Sequence, residues 1–187
     1  MIRTHHRKRR PCVATLVRAS ARLFVLWLAA ALPAWAHSGP HAPGTVPAGH
    51  GWDFTLPLLD GSGFVTASSS AGPVLVNFWG VDCAPCVAGL PRLQAFAAAN
   101  PQWTVLLVST DAPVQAQAFV QRHGITLPVL RPGAHVAALM RSAGNTAGVL
   151  PFTVGLRQGR LCDGQFGEAA DADLARLAAR CVVLARP

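Results

Sequence analysis

Acidic residues are scarce in this chain: 8 Asp and Glu stand against 16 Lys and Arg, for a formal charge of +8. Such a balance points to a nucleic-acid surface only if the cations belong to the folded part. They do not. Residues 1–22 hold Arg3, Arg7, Lys8, Arg9, Arg10, Arg18 and Arg22 and no acid, so 7 of the 16 basic residues lie there. From residue 37 onward 9 Arg face 8 acids, a net of +1, and no nucleic-acid partner is expected. Metal ligands are sparse as well. A zinc site built on a C-x-x-C pair needs a second pair of ligands at close spacing. Cys12, Cys162 and Cys181 supply none, and no metal is expected. Long apolar runs are also missing: Leu23–Leu32 is too short to span a bilayer comfortably. No internal repeat is visible.

What is present begins with a leader. Basic residues precede the run Leu23–Leu32, and Ala34-Trp35-Ala36 follows with small residues placed as in an A-x-A cleavage signal. Residues 1–36 therefore read as a signal peptide, with an uncleaved signal anchor in the membrane as the alternative. Arg9-Arg10 is a weak twin-arginine motif, and Cys12 precedes the apolar run, a poor place for a lipid anchor. Export carries the chain to a compartment, the periplasm, where disulfides persist. Residues 37–51, HSGPHAPGTVPAGHG, are rich in Pro and Gly and read as a tether. Its His37, His41 and His50 are candidate copper ligands, although scattered linker histidines are more often solvated and idle.

Residues 52–187 form the expected domain, organised around Val74–Pro91, VLVNFWGVDCAPCVAGLP. Val74–Trp79 is β-branched and aromatic, a buried strand. Gly80 turns the chain into Cys83-Ala84-Pro85-Cys86, and Cys86, Leu90, Leu93 and Ala97 recur at helical spacing. Strand, turn, C-x-x-C and helix make a redox arrangement. A cysteine at a helix N-terminus faces unpaired N–H groups and the positive dipole end, which favour thiolate. Cys83 is then the attacking thiol and Cys86, one turn in, the resolving one.

Around this stretch, Phe54–Leu56 and Phe64–Thr66 flank Asp60-Gly61-Ser62-Gly63 as a β-hairpin. Trp103–Ser109 is a second buried strand, and Thr110-Asp111 is expected to cap a helix from Pro113 to His123, stopped by Gly124. A helical piece, Ala134–Met140, precedes a strand entered at Val149, and Gln158-Gly159 turns it into Leu161–Phe166. Asp171 and Asp173 open the last helix, with Leu174, Leu177, Ala178, Cys181 and Val182 on one stripe. Cys162 and Cys181 lie on consecutive elements that should pack together. They are candidates for a structural disulfide worth about 3 kcal/mol, the alternative being two buried free thiols.

This order, with VNFW before the cysteines and GITLPVL at 124–130, resembles the TlpA/ResA-type thioredoxin-like proteins, exported thiol–disulfide oxidoreductases of which many serve cytochrome c maturation. The resemblance covers roughly residues 52–180. It implies an α/β, thioredoxin-like fold: a central mixed sheet flanked by helices, with an N-terminal β-hairpin extension. It also implies a cis peptide at Leu150-Pro151 beside the C-x-x-C pair, with Leu150, Pro151 and Trp79 contacting substrate. Implied partners are disulfide-containing exported clients and a membrane electron donor, and no cofactor beyond the redox-active disulfide. Three positions depart from the pattern. Asp82 stands where Trp usually precedes the first cysteine, and Gly89 where many relatives carry Glu. Asn77 occupies the place of the buried Asp of thioredoxins.

The direction of electron flow follows from the motif. Strong oxidants resembling DsbA carry a histidine between the cysteines; Ala84 and Pro85 cannot stabilise negative charge. Asp82 adds a like charge beside Cys83 and is expected to modulate its pKa upward. A disulfide reductase is expected; the alternatives are an oxidant or isomerase, and a copper-delivery module.

Overall fold

The computed structural model describes residues 46–183. The expected leader with its Ala36 cleavage point, and His37 and His41 of the tether, lie outside the described residues. A five-stranded sheet forms the centre, in the order β5 (Val129–Leu130), β4 (Thr104–Ser109), β3 (Val74–Trp79), β6 (Phe152–Arg157), β7 (Arg160–Phe166). β3, β4 and β5 run parallel, while β6 and β7 are antiparallel to their neighbours. The sheet is therefore mixed, as the resemblance implied.

β3 is buried along its whole length because both of its faces are covered. Val74, Val76 and Phe78 join Trp52, Met140 and Phe152 in one core. Leu75 and Trp79 join Leu90, Leu93, Leu174 and Leu177 in the other. The second core is closed by α1 (Ala84–Ala99), α2 (Pro113–His123, through Phe119 and Val120) and α4 (Asp171–Val183). α3 (Val136–Ser142), preceded by a short 3-10 turn at Gly133–His135, packs on the first. Each fully buried Leu contributes about 1.5–3 kcal/mol relative to exposure.

The two edges of the sheet are both occupied by the N-terminal part of the domain. The hairpin of β1 (Thr55–Pro57) and β2 (Phe64–Thr66) leads into Leu59, whose N–H donates to Val129 O at 2.8 Å. At the far edge, Gly49 N–H donates to Leu161 O (2.7 Å) and Leu161 N–H to His50 O (2.9 Å). Residues 46–51, expected to belong to the tether, are thus held against β7, and Val46 leaves no room for a Cβ on Gly164. Covering an edge satisfies its N–H and C=O groups and blocks pairing with other chains.

The β6–β7 turn places Gln158 at φ 51° and Gly159 at φ 68°, the left-handed pair that matches strand twist in a two-residue hairpin. Cys162 of β7 and Cys181 of α4 are joined by a disulfide. It lies over Gly155, where a Cβ would fall 2.9 Å from Cys181 Sγ.

Candidate active site

The cysteine pair is held at the exit of β3 by the loop that leaves β4. Thr110 N–H donates to Trp79 O at 2.9 Å, and its hydroxyl reaches the same oxygen at 3.2 Å. Asp111 Oδ2 accepts from Val81 N–H (2.9 Å) and from the Ser109 hydroxyl (3.1 Å). Asp111 was expected to cap α2. Instead Ala112 occupies the N-cap position without a side-chain bond, and the carboxylate fastens the active-site loop. Gly80 lies between the two loops; a Cβ there would sit 2.9 Å from Thr110 Oγ1.

From this anchored turn Cys83 enters as the N-cap of α1, with Pro85 in the first turn, where a missing N–H costs nothing. Cys83 and Cys86 form a disulfide with Cα atoms 5.2 Å apart, and Cys83 Sγ accepts from Cys86 N–H at 3.3 Å. Cys83 is half-buried, whereas Cys86 is 2% exposed. One sulfur is open to a partner at the positive end of a helix; the other waits beneath it. Asp82 is exposed and precedes the N-cap, and no Lys, Arg or His occurs from Trp79 to Pro91.

Leu150 and Pro151 reach the same region. The Leu150-Pro151 peptide is cis. The loop before it is clamped by Asn145, fully buried, whose Nδ2 donates to Val149 O (2.8 Å) and whose Oδ1 accepts from Val149 N–H (3.0 Å). Leu150 is half-buried and borders a cleft of about 340 Å³ shared with Thr110, Met140, Arg141 and Thr146. Trp79, expected to contact substrate, is corrected by its burial. It is 0% exposed, packed 5.3 Å from Phe119 in the core, and has no surface to offer. Alternation along β3 turns Trp79 inward with Leu75, toward the helices.

Below Cys86 lies a cavity of about 10 Å³, lined among others by Asn77, Gly89, Pro151 and Glu168. That volume is about the space one water needs. Asn77 is 4% exposed; its Nδ2 donates to Thr153 Oγ1 at 2.9 Å, the cross-strand neighbour in β6. Its Oδ1 has no hydrogen-bond partner among the described residues. Glu168, in the loop between β7 and α4, is the only glutamate of the chain and was not singled out from the sequence. The vacant side chain at Gly89 was the one signal pointing to a carboxylate from elsewhere.

The family model described as AhpC/TSA family matches residues 49–151. The soluble secreted antigen MPT53 of Mycobacterium tuberculosis is 36% identical over 86 residues, 46% of this chain and 50% of that protein. The thiol-disulfide oxidoreductase ResA of Halalkalibacterium halodurans is 26% identical over 81 residues, 42% of this chain and 46% of its own. The chain thus spans about half the length of these curated relatives. Among solved structures, a secreted thiol-disulfide isomerase from Corynebacterium glutamicum superposes with a TM-score of 0.61 at 25% identity, covering 79% of this chain and 96% of that one.

Proposed function

Because this chain belongs to the AhpC/TSA family and is thioredoxin-like, of the TlpA/ResA type, we propose that it is an exported thiol–disulfide oxidoreductase. It reduces disulfides of exported client proteins in the periplasm. The observation that carries the reading is the Cys83–Cys86 pair itself: a half-buried sulfur at the N-cap of α1 over a buried one a turn away. The names of the relatives, secreted proteins and a thiol-disulfide oxidoreductase, support both export and the chemistry.

In the reduced protein, the free N–H groups and dipole of α1 favour the Cys83 thiolate. It attacks one sulfur of a client disulfide. The client S–S bond breaks, the departing sulfur takes a proton, and Cys83 is left in a mixed disulfide. Cys86 then attacks Cys83 Sγ and expels the second client sulfur. The client has gained two electrons and the Cys83–Cys86 disulfide has formed. A dithiol partner in the membrane restores it by the reverse exchange. The client segment lies along Leu150, whose backbone can pair with it as a strand would. A client side chain beyond the reacting cysteine enters the cleft beside Met140 and Arg141.

The reducing direction rests on charge: Asp82 is the one acidic side chain from Trp79 to Pro91, and nothing cationic there stabilises thiolate. In a Cys86→Ala variant recovered from its native envelope, client proteins should remain attached through Cys83 and be released by reductant. A variant that carries no such adducts contradicts the proposal. Mass spectrometry of the wild type should find His37 at the N-terminus; an intact leader in the membrane fraction replaces cleavage by a signal anchor.

A further inference from the structure

We propose that Glu168 is the proton relay for Cys86, acting through one water held in the cavity beneath the Cys83–Cys86 pair. The inference rests on the oxidoreductase reading above and assigns a residue to its resolving step. Cys86 must become a thiolate to resolve the mixed disulfide, and burial disfavours that charge. Its proton therefore needs an acceptor at the cavity that Cys86 borders. Asn77 cannot titrate, and Asp82 does not line the cavity that Cys86 borders. Of the residues lining the cavity with Cys86, only Glu168 carries a carboxylate, and its side chain, 43% exposed, links the cavity to solvent.

Three features hold Glu168 at that cavity. Gly89 presents no side chain on α1, and a Cβ built on it would stand in ordinary contact, 4.0 Å from Glu168 Cγ, so Glu168 reaches from the opposite loop to the side of Gly89. Arg92, one turn from Gly89 on α1, pairs with Glu168 Oε1 at 2.7 Å and donates to Ala169 O at 3.1 Å, binding the loop to the active-site helix. Arg92 also meets Asp171 of α4 at 3.3 Å. These are the charged groups facing Glu168 from α1 and α4. The third feature is the orphaned Asn77 Oδ1, a buried acceptor on the cavity wall. A water donating to it and bridging Cys86 and Glu168 has three partners, the usual number for a buried water.

With a client on Cys83, the Cys86 S–H proton passes to the water and on to Glu168. The Cys86 thiolate attacks Cys83 Sγ, the Cys83–client bond breaks, and the client sulfur leaves with the bonding pair and takes a proton. Glu168 acts through the water and does not touch sulfur, so it is a positioning residue whose signature is in the pH profile.

The test is single-turnover reduction of oxidised glutathione by the reduced full chain, with formation and release of the glutathione adduct on Cys83 timed separately. Glu168→Gln should leave adduct formation unchanged and slow release by about 10-fold or more near pH 6. The deficit should close near pH 9, where hydroxide removes a thiol proton directly. Gly89→Glu combined with Glu168→Gln, which returns a carboxylate to the cavity from α1, should recover most of the release rate. Release in Glu168→Gln within about 2-fold of wild type near pH 6 overturns the relay; so does an equal slowing at both pH values, or no recovery in the double variant. A wild type that forms no adduct at all overturns the oxidoreductase reading first, and the two failures are thereby distinct.

Discussion

Removing the Cys162–Cys181 bridge tests how the last third of the domain is held. The two cysteines are 19 positions apart, with Cα atoms 4.9 Å from each other. Closing a loop of that length in the unfolded chain is worth about 3 kcal/mol in the chain-entropy treatment. Both sulfurs are buried, Cys162 at 2% and Cys181 at 0% exposure, so replacing them with alanine also deletes two core atoms at about 1 kcal/mol each. A Cys162→Ala/Cys181→Ala protein should lose about 4–5 kcal/mol, a large part of a typical domain's 5–15 kcal/mol. With a urea slope of about 2 kcal/mol/M, its midpoint should fall by about 2 M. The assay is equilibrium urea unfolding of both proteins with Cys83–Cys86 kept oxidised. A loss below about 1 kcal/mol, or alkylation of both cysteines in the unfolded, unreduced wild type, refutes the reasoning.

Gly155→Ala should cost about 1–3 kcal/mol by the same unfolding measurement, because its Cβ would meet Cys181 Sγ at 2.9 Å. That cost should shrink in the bridge-free background, and an unchanged cost there removes the steric explanation. Asp53 has a pKa below its ordinary 3.8: burial pushes it up, but hydrogen bonds from the Ser68 hydroxyl and N–H and the Phe54 N–H outweigh burial. A depressed folded pKa stabilises above the unfolded value and is lost as pH falls through the folded one. Asp53→Asn should therefore flatten the decline in urea midpoint below about pH 4, and an undiminished decline counts against it. Asp82→Ala should make the Cys83–Cys86 couple less reducing in a glutathione titration; no change would clear Asp82 of influence.

The parts of the fold that read directly from the sequence are those whose signals are local. Val74–Trp79 is apolar at every position but Asn77, and a strand covered on both faces needs that. Gln158-Gly159 could turn only as a tight hairpin, and the stripe from Leu174 to Cys181 needed only helical spacing. What escaped depends on partners far along the chain. Asp111 looks like a helix cap, yet Val81 N–H, 30 residues earlier, claims its carboxylate. The composition of residues 46–51 suggests a tether, because backbone pairing to Leu161 leaves no trace in side-chain pattern. Trp79 stands close to the cysteines in sequence, but the strand's alternation turns it into the core. Glu168 joins the site only through α4 folding back over α1, and no spacing rule connects it to Gly89.

The central claim is that Cys83–Cys86 is an exchange-active, reducing couple, and its potential tests that most directly. Purified mature protein is equilibrated across a series of reduced and oxidised glutathione, quenched, and the Cys83–Cys86 state read by mass after alkylation. The account predicts one two-electron transition on the reducing side, nearer the roughly −270 mV of thioredoxin than the roughly −120 mV of DsbA. A potential as oxidising as that of DsbA, or a pair that never exchanges, contradicts it.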